Sequence, residues 1–424
     1  MYTPFGLYWN GMWQKPASGK SIPVISPVTE EVLGEAPAAN KSDTRKVVES
    51  AVSGTAQWRK VIAWERSRML RRVAEVMRER TDDMARWLSL ELGKPLDQSK
   101  GEVSMAIEQF EWYAEEAKRI YGHVLESRQP HGKVLIQHEP IGVVAAFTSW
   151  NFPVVLAARK IAPALAAGCS VILLPAEEAP GSAMSLVQCL HEAGVPAGVI
   201  NLINGSADTI SPVLLNESRV RKISLTGSAR VGKLLIKASA ETLKRTSMEL
   251  GGHAPVIIYA DADAEAIAEQ AALVKFKHCG QVCASPSRYF IHESQAEAFT
   301  NKFIEIAQNF KLGNGMESGV DIGPLATKKR LKEVELMVSG TLKSGARLRL
   351  GGKRPEGFDR GFFYEPTVFD QVPDHAPIMQ EEPFGPLVPI TTFRYFDEVI
   401  ERANSLEYGL TSYAFTRSQR LAHD

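Results

Sequence analysis

The chain has 424 residues, 44% of them hydrophobic, enough for two or three domains and a large core. Its 49 Lys and Arg balance 49 Asp and Glu, which argues against a charge-driven nucleic-acid or anionic-membrane partner. Four cysteines in this length speak against a disulfide framework and for a reducing compartment. With no leader pattern in Met1 to Gly6 and no apolar run long enough to span a bilayer, a cytoplasmic protein is expected.

Residues 1 to about 40 read as small strands and turns. From Asp43 to about Tyr121 the pattern is helical, with apolar residues such as Met69, Val73 and Met77 at four-residue spacing. The stretch Gly122 to Pro140 reads as a hairpin leaving the domain. A regular alternation follows: strand Val143 to Phe147, helix Pro153 to Ala167, strand Val171 to Leu174, helix Ser182 to Ala193, strand Ile200 to Ile203, helix Thr209 to Asn216. It continues through strand Lys222 to Leu225, helix Ala229 to Ala240 and strand Pro255 to Tyr259. Such alternation predicts a parallel doubly wound sheet, which binds ligands beyond the carboxyl ends of its strands. A second α/β section begins near Asp261, with a helix from Ala264 to Phe276, a loop holding Cys283, a strand at Tyr289 to His292 and a helix from Gln295 to Phe310. Further helical and strand patterns run through Leu331, Leu348 and Val388.

Three blocks carry chemistry. Cys283 lies in Phe276-Lys277-His278-Cys279-Gly280-Gln281-Val282-Cys283, Glu249 in Met248-Glu249-Leu250-Gly251-Gly252-His253, and Asn151 in Thr148-Ser149-Trp150-Asn151-Phe152-Pro153. A thiol does covalent chemistry only when one group generates thiolate and another steadies the oxyanion it produces, and Glu249 and Asn151 are candidates for those tasks. On residues alone, other readings stay open: an inert packed cysteine, a partial metal site at His278, Cys279 and Cys283, or a Cys-His hydrolase. Cys169 and Cys189 read as packing. Thr226-Gly227-Ser228-Ala229-Arg230-Val231-Gly232 sits where a strand turns into a helix that Ser228 can cap, and unpaired amides at such a start favour a diphosphate. A plain N-cap turn is the alternative.

In this order and spacing the blocks resemble the NAD(P)-dependent aldehyde dehydrogenase superfamily, along nearly the whole chain. The resemblance implies a Rossmann-like doubly wound parallel-sheet cofactor domain (1–121 and 141–250), an oligomerisation hairpin (122–140) and a second α/β catalytic domain (251–424). It implies Cys283 as nucleophile, Asn151 with the backbone N–H of Cys283 as oxyanion donors, and Glu249 as general base for thioester hydrolysis. Lys160 matches a family lysine that serves Glu and Asn positioning, its alternative being a lysine at a helix surface. Thr148, Trp150, Glu177, Gly205, Thr226, Gly227, Ser228, Gly232, Leu250, Glu382 and Phe384 fall to the cofactor. Glu382 goes to the nicotinamide ribose and Phe384 beside the nicotinamide. No metal is implied.

Leu174 stands where the family usually has a lysine facing the adenosine ribose, while Glu177 keeps the carboxylate of NAD-using members, so NAD is favoured over NADP. Gly251-Gly252-His253-Ala254-Pro255 with Cys283-Ala284-Ser285-Pro286-Ser287-Arg288 is most similar to dehydrogenases of succinate or 2-oxoglutarate semialdehyde. No cation can be assigned from sequence to the far carboxylate of such substrates. The alternatives are a broad-specificity aliphatic, betaine or aromatic aldehyde dehydrogenase, and a shortened non-catalytic paralogue that binds nucleotide. Relatives continue some tens of residues beyond His423-Asp424, with a strand that joins subunits; the resemblance implies a dimer or tetramer in chains that carry it.

Overall fold

The computed structural model describes residues 4–424, and residues 1–3, on which part of the leader expectation rests, lie outside it. Contacts divide the chain into two units, one of residues up to Ile25 with Val32–Glu91 and Ser99–Glu249, the other of Ser26–Glu31, Leu92–Gln98 and Leu250–Asp424.

The first unit opens with four short strands, β1 (Leu7–Trp9), β2 (Met12–Gln14), β3 (Ser21–Ile25) and β4 (Val32–Pro37). Helices α1 (Lys41–Trp58), α2 (Ala63–Glu79), α3 (Thr81–Leu92) and α4 (Leu96–Glu116) follow. Asn40 starts α1 with a reciprocal cap, its side chain accepting from the Ser42 and Asp43 amides while Asp43 reaches back to the Asn40 N–H. Strands β5 (His123–Glu126) and β6 (Lys133–Ile136) form an antiparallel hairpin whose eight residues are all exposed. Then come β7 (Val143–Phe147), α5 (Pro153–Ala166), β8 (Ser170–Leu174), α6 (Pro180–Glu192), β9 (Ile200–Leu202), α7 (Ala207–Asn216), β10 (Val220–Thr226), α8 (Ala229–Ser239) and β11 (Arg245–Glu249).

The main sheet runs β11-β10-β7-β8-β9-β1-β2, parallel from β11 to β9 and closed by the antiparallel pair β1 and β2. Every residue of β7 and β8 is buried, as a strand covered on both faces requires, and their apolar runs are continuous for that reason.

The second unit contains β12 (Ala254–Ile258), α9 (Ala264–Lys275), β13 (Pro286–His292), α10 (Ala296–Ala307), α11 (Lys328–Lys343), β14 (Arg347–Leu350) and β15 (Thr367–Asp370). It ends with α12 (Pro377–Gln380), β16 (Leu387–Phe393), α13 (Phe396–Ala403), β17 (Tyr413–Phe415) and α14 (Gln419–His423). Its sheet runs β14-β15-β16-β13-β12-β17. The run 255–259, expected to continue the first sheet, pairs instead with β13 and β17. Local apolar pattern sets strand character but not the sheet a strand joins. Among the described residues no helix is long and apolar enough to cross a membrane, and no His, Cys, Asp and Glu group could hold a metal ion.

Candidate active site

The first unit gathers Asn151, Lys160 and Glu249 around β7, α5 and the end of the sheet. Asn151 is buried in the turn between β7 and α5. That turn is anchored from below: Glu102, itself buried, accepts from the Val154 and Val155 amides at 2.9 and 3.3 Å. Buried Glu91 does the same for α6, accepting from the Gly181 and Ser182 amides at 2.7 and 2.8 Å. Both helix starts are therefore closed to an external anion.

The start of α8 is different. Its cap is its own Ser228, whose hydroxyl accepts from Val231 N–H at 3.3 Å. Ser228, Ala229 and Arg230 are exposed and Gly232 is buried. The anion-binding capacity of the helix end is thus kept here, where the diphosphate is expected. At the carboxyl end of β7, Thr148 is buried with its hydroxyl lacking a hydrogen-bond partner, a group that an incoming polar ligand would satisfy. Gly205 follows β9 at φ +138°, and a Cβ there would stand 3.0 Å from the Ala39 nitrogen, so only glycine fits. Trp150 is half-buried, and Glu177 is exposed in the loop after β8 whose last residue, Leu174, is buried. These features fit a dinucleotide.

Glu249 ends β11 directly opposite Thr226 in the parallel register. Thr226 donates its hydroxyl to Glu249 Oε2 at 3.0 Å, and the Gly227 N–H donates to the Glu249 carbonyl at 3.0 Å. The carboxylate is therefore tied to the same turn that opens α8. Arg159 brings a half-exposed guanidinium to 4.0 Å from Glu249 Oε1. Lys160 is 9% exposed, not at the helix surface, and donates to Ser224 Oγ at 3.2 Å. Burial lowers its pKa to about 8, opposed by the nearby Glu249 charge.

A stability prediction follows from that shift. Between about pH 8 and the ordinary lysine value the unfolded chain holds a proton that the folded chain does not, so the charge costs stability fully at pH 7 and the cost fades above pH 8. Lys160→Met is expected to raise stability at pH 7 by about 2 kcal/mol, with the gain shrinking toward pH 10. Thermal melts of both proteins at the two pH values check this; an equal or lower melting temperature for the variant at pH 7 contradicts it.

In the second unit, Cys283 lies in a turn just before β13, closed by the Ser285 N–H donating to the Val282 carbonyl at 2.9 Å. The turn is held from several sides. His278, Cys279 and Gly280 form a left-handed run at φ +47°, +55° and +73°. Gln281, fully buried, donates to the His278 carbonyl at 3.0 Å and accepts from Ala326 N–H at 2.9 Å. Tyr413 donates to the Ala284 carbonyl at 2.6 Å. Of the four cysteines, three are buried and Cys283 is the half-exposed one; all four stay as thiols. Burial pushes the Cys279 and Cys189 thiols up to about 12, which makes them inert at neutral pH.

Gly280 presses against the Gly385 carbonyl, so the Cys283 turn packs directly on the Phe384-Gly385 loop. Gly280→Ala, with both a left-handed φ and that carbonyl in the way, is expected to cost about 3 kcal/mol. A urea midpoint within error of wild type contradicts this close approach. Phe384 is half-buried at φ +40°. Glu382 Oε1 faces the Gly252 N–H at 3.4 Å, and burial pushes its carboxyl up to about 7 against the pull of that N–H, Arg330 and Lys275. Leu250, half-buried, opens the Gly-Gly turn.

Glu91, Glu102, Gln281 and Arg159 were not legible as site residues in the sequence. Glu91, Glu102 and Gln281 accept from backbone amides 90, 52 and 45 residues away, which leaves no local pattern. Arg159 had one signal, its place beside Lys160 on the helix that follows Asn151.

The second unit holds a half-exposed thiol on a turn fixed by its neighbours, and the first unit holds a helix start capped by its own serine. The class so defined is that of nicotinamide-dependent dehydrogenases working through cysteine. The aldehyde dehydrogenase family model matches residues 13–424, and the chain belongs to that family. It is 42% identical over 410 residues to a glutarate-semialdehyde dehydrogenase of Pseudomonas putida, covering 97% of this chain and 85% of that one. It is 40% identical over 408 residues to an NADP-dependent succinate-semialdehyde dehydrogenase of Escherichia coli K12, covering 96% and 84%. The crystal structure of succinate-semialdehyde dehydrogenase from Burkholderia pseudomallei superposes with a TM-score of 0.96 at 39% identity, covering 99% of this chain and 87% of that one. The protein is an aldehyde dehydrogenase that uses a nicotinamide cofactor and oxidises an aldehyde to the acid.

Proposed function

We propose that the chain oxidises an aldehyde bearing a second, anionic end, of the succinate or glutarate semialdehyde type, with NAD as the preferred cofactor. The observation that carries the reading is the likeness to relatives named for glutarate and succinate semialdehyde, 42% and 40% identical over nearly the whole chain. For the cofactor, an acidic Glu177 and an apolar Leu174 at the end of β8 disfavour a 2′-phosphate.

The residue roles are these. Cys283 thiolate adds to the aldehyde carbon, giving a tetrahedral oxyanion. The Asn151 side-chain amide and the Cys283 N–H donate hydrogen bonds to that oxygen, in a setting where fixed donors need no reorganisation. Hydride loss from the Cys283 adduct, for which a bound nicotinamide would supply the acceptor, would leave a thioester on Cys283. Glu249, oriented by Thr226, takes a proton from water as it attacks the thioester, and the acid and thiol are released. Lys160 beside it adjusts the charge that Glu249 feels. Thr148, Gly205, Thr226, Gly227, Ser228 and Gly232 would hold the diphosphate side, Trp150, Glu177 and Leu250 the flanks, Glu382 a ribose and Phe384 the ring.

The test is initial-rate kinetics with succinate semialdehyde, glutarate semialdehyde and a neutral aldehyde of equal length, each with NAD and with NADP. The expected result is a kcat/KM at least about tenfold higher for the anionic aldehydes and for NAD. Arg159→Gln, which removes the cation 4.0 Å from Glu249, is expected to change kcat for anionic and neutral aldehydes alike. Equal kcat/KM for the neutral aldehyde contradicts the substrate reading, and a preference for NADP contradicts the cofactor reading.

A further inference from the structure

His253 has no proton to move in the reaction above, yet it is one of the most constrained side chains in the second unit. It is 2% exposed, with Nε2 3.0 Å from the Ile378 carbonyl oxygen and Nδ1 2.8 Å from Ser287 Oγ. Its ring meets Tyr408 edge-on, centroids 5.8 Å apart. A carbonyl only accepts, so Nε2 carries the proton and Nδ1 accepts from the Ser287 hydroxyl. Burial first, then the charges of Arg288 and Lys275, lower the imidazole pKa to about 3, opposed by the bond to Ile378. The ring stays neutral and this tautomer persists through the pH range of dehydrogenase chemistry.

The two partners belong to two different parts of the site. Ser287 lies four residues after Cys283, at the start of β13, and Ile378 lies four residues before Glu382, in α12. The residues preceding His253 fill the space between those parts. A Cβ on Gly251 would stand 2.6 Å from Glu382 Oε2, and one on Gly252 would stand 2.9 Å from the Cys283 carbonyl oxygen. Gly252 also turns its N–H toward Glu382 Oε1. The strip 251–253 is thus a bare backbone spacer with one anchored end.

We propose that His253 is a positioning residue that sets the Cys283 turn through its bond with Ser287 and the Glu382 carboxylate through its bond with Ile378, each independently of the other. Nothing in the chemistry requires both tasks of one side chain. The cofactor half of the claim rests on the role of Glu382 given above.

Two substitutions separate the bonds. Asn places an acceptor near the position of Nδ1 and no donor at Nε2; Gln places a donor near Nε2 and no acceptor at Nδ1. The readouts are the rate of Cys283 alkylation by iodoacetamide, located by peptide mass spectrometry, and the NAD dissociation constant from fluorescence titration. His253→Asn is expected to keep the alkylation rate and weaken NAD binding about fivefold; His253→Gln is expected to keep NAD binding and change the alkylation rate about fivefold. Ser287→Ala, approached from the partner side, is expected to copy His253→Gln should the ring variants fold poorly. If both ring variants disturb both readouts together, or neither readout moves, or Ser287→Ala leaves alkylation unchanged, the proposal is overturned and the ring only fills space. Glu382→Gln is titrated in parallel: unchanged NAD affinity there refutes the reading of Glu382, while the alkylation arm still decides the Cys283 half.

Discussion

Cys283→Ala is expected to abolish aldehyde oxidation while leaving the cofactor bound. Of the four thiols, Cys283 alone combines partial exposure with a turn fixed by its neighbours, whereas Cys279, four residues away, is fully buried with its pKa pushed up to about 12. A substitute nucleophile is therefore not at hand. Loss of a nucleophile that forms the covalent intermediate lowers turnover by roughly 10⁴-fold or more. The check is formation of reduced nicotinamide by absorbance, with NAD titration as the control. Residual activity within tenfold of wild type, with binding intact, removes the covalent reading. Because Ala at 283 deletes only a half-exposed sulfur, the melting temperature is expected to stay near wild type, which separates lost chemistry from lost fold.

Glu249→Gln is expected to produce a different failure. The glutamate is assigned to hydrolysis, after the hydride has left, so the variant should still make one equivalent of reduced nicotinamide per chain in a fast phase and then stall. General-base removal is worth about 10²- to 10⁴-fold in the step it serves. Gln keeps an oxygen for the Thr226 hydroxyl at the 3.0 Å contact, so the β11 end and the α8 turn are not expected to move. Stopped-flow absorbance distinguishes the cases: a burst followed by a slow rate supports the assignment, and a uniformly slowed trace without a burst places Glu249 in the first step instead. Any change at Arg159, 4.0 Å from the carboxylate, will act on the same trace, so the two variants should be read together.

Much of the first sheet was legible because its strands are buried on both faces. Runs such as Val143-Val144-Ala145-Ala146-Phe147 can hardly be anything else when helical stripes flank them, and the alternation from β7 to α8 appears where it was expected. What escaped was β11. Its residues, Arg245 to Glu249, are polar and mostly exposed, and it becomes a strand only by pairing with β10 at the edge of the sheet. That pairing is what carries Glu249 to Thr226, so the residue was nameable from its motif while its support was not. The same division holds around Cys283. Gly280 signals a turn in the sequence, but the two left-handed residues before it, His278 and Cys279, are not glycines; Gln98 accepts from the His278 N–H and Gln281 donates to its carbonyl. His253 illustrates the limit most clearly: it stands in a quoted motif, yet its two partners lie 34 and 125 residues away.

The central claim is that the aldehyde becomes covalently attached to Cys283 as an acyl group. Glu249→Gln mixed with NAD and succinate semialdehyde, quenched in acid after the fast phase and digested, tests it directly by mass spectrometry. The account predicts the Cys283 peptide heavier by one succinyl group, with the Cys169, Cys189 and Cys279 peptides unchanged. An unmodified Cys283 peptide recovered from a reaction that has already produced its equivalent of reduced nicotinamide contradicts it.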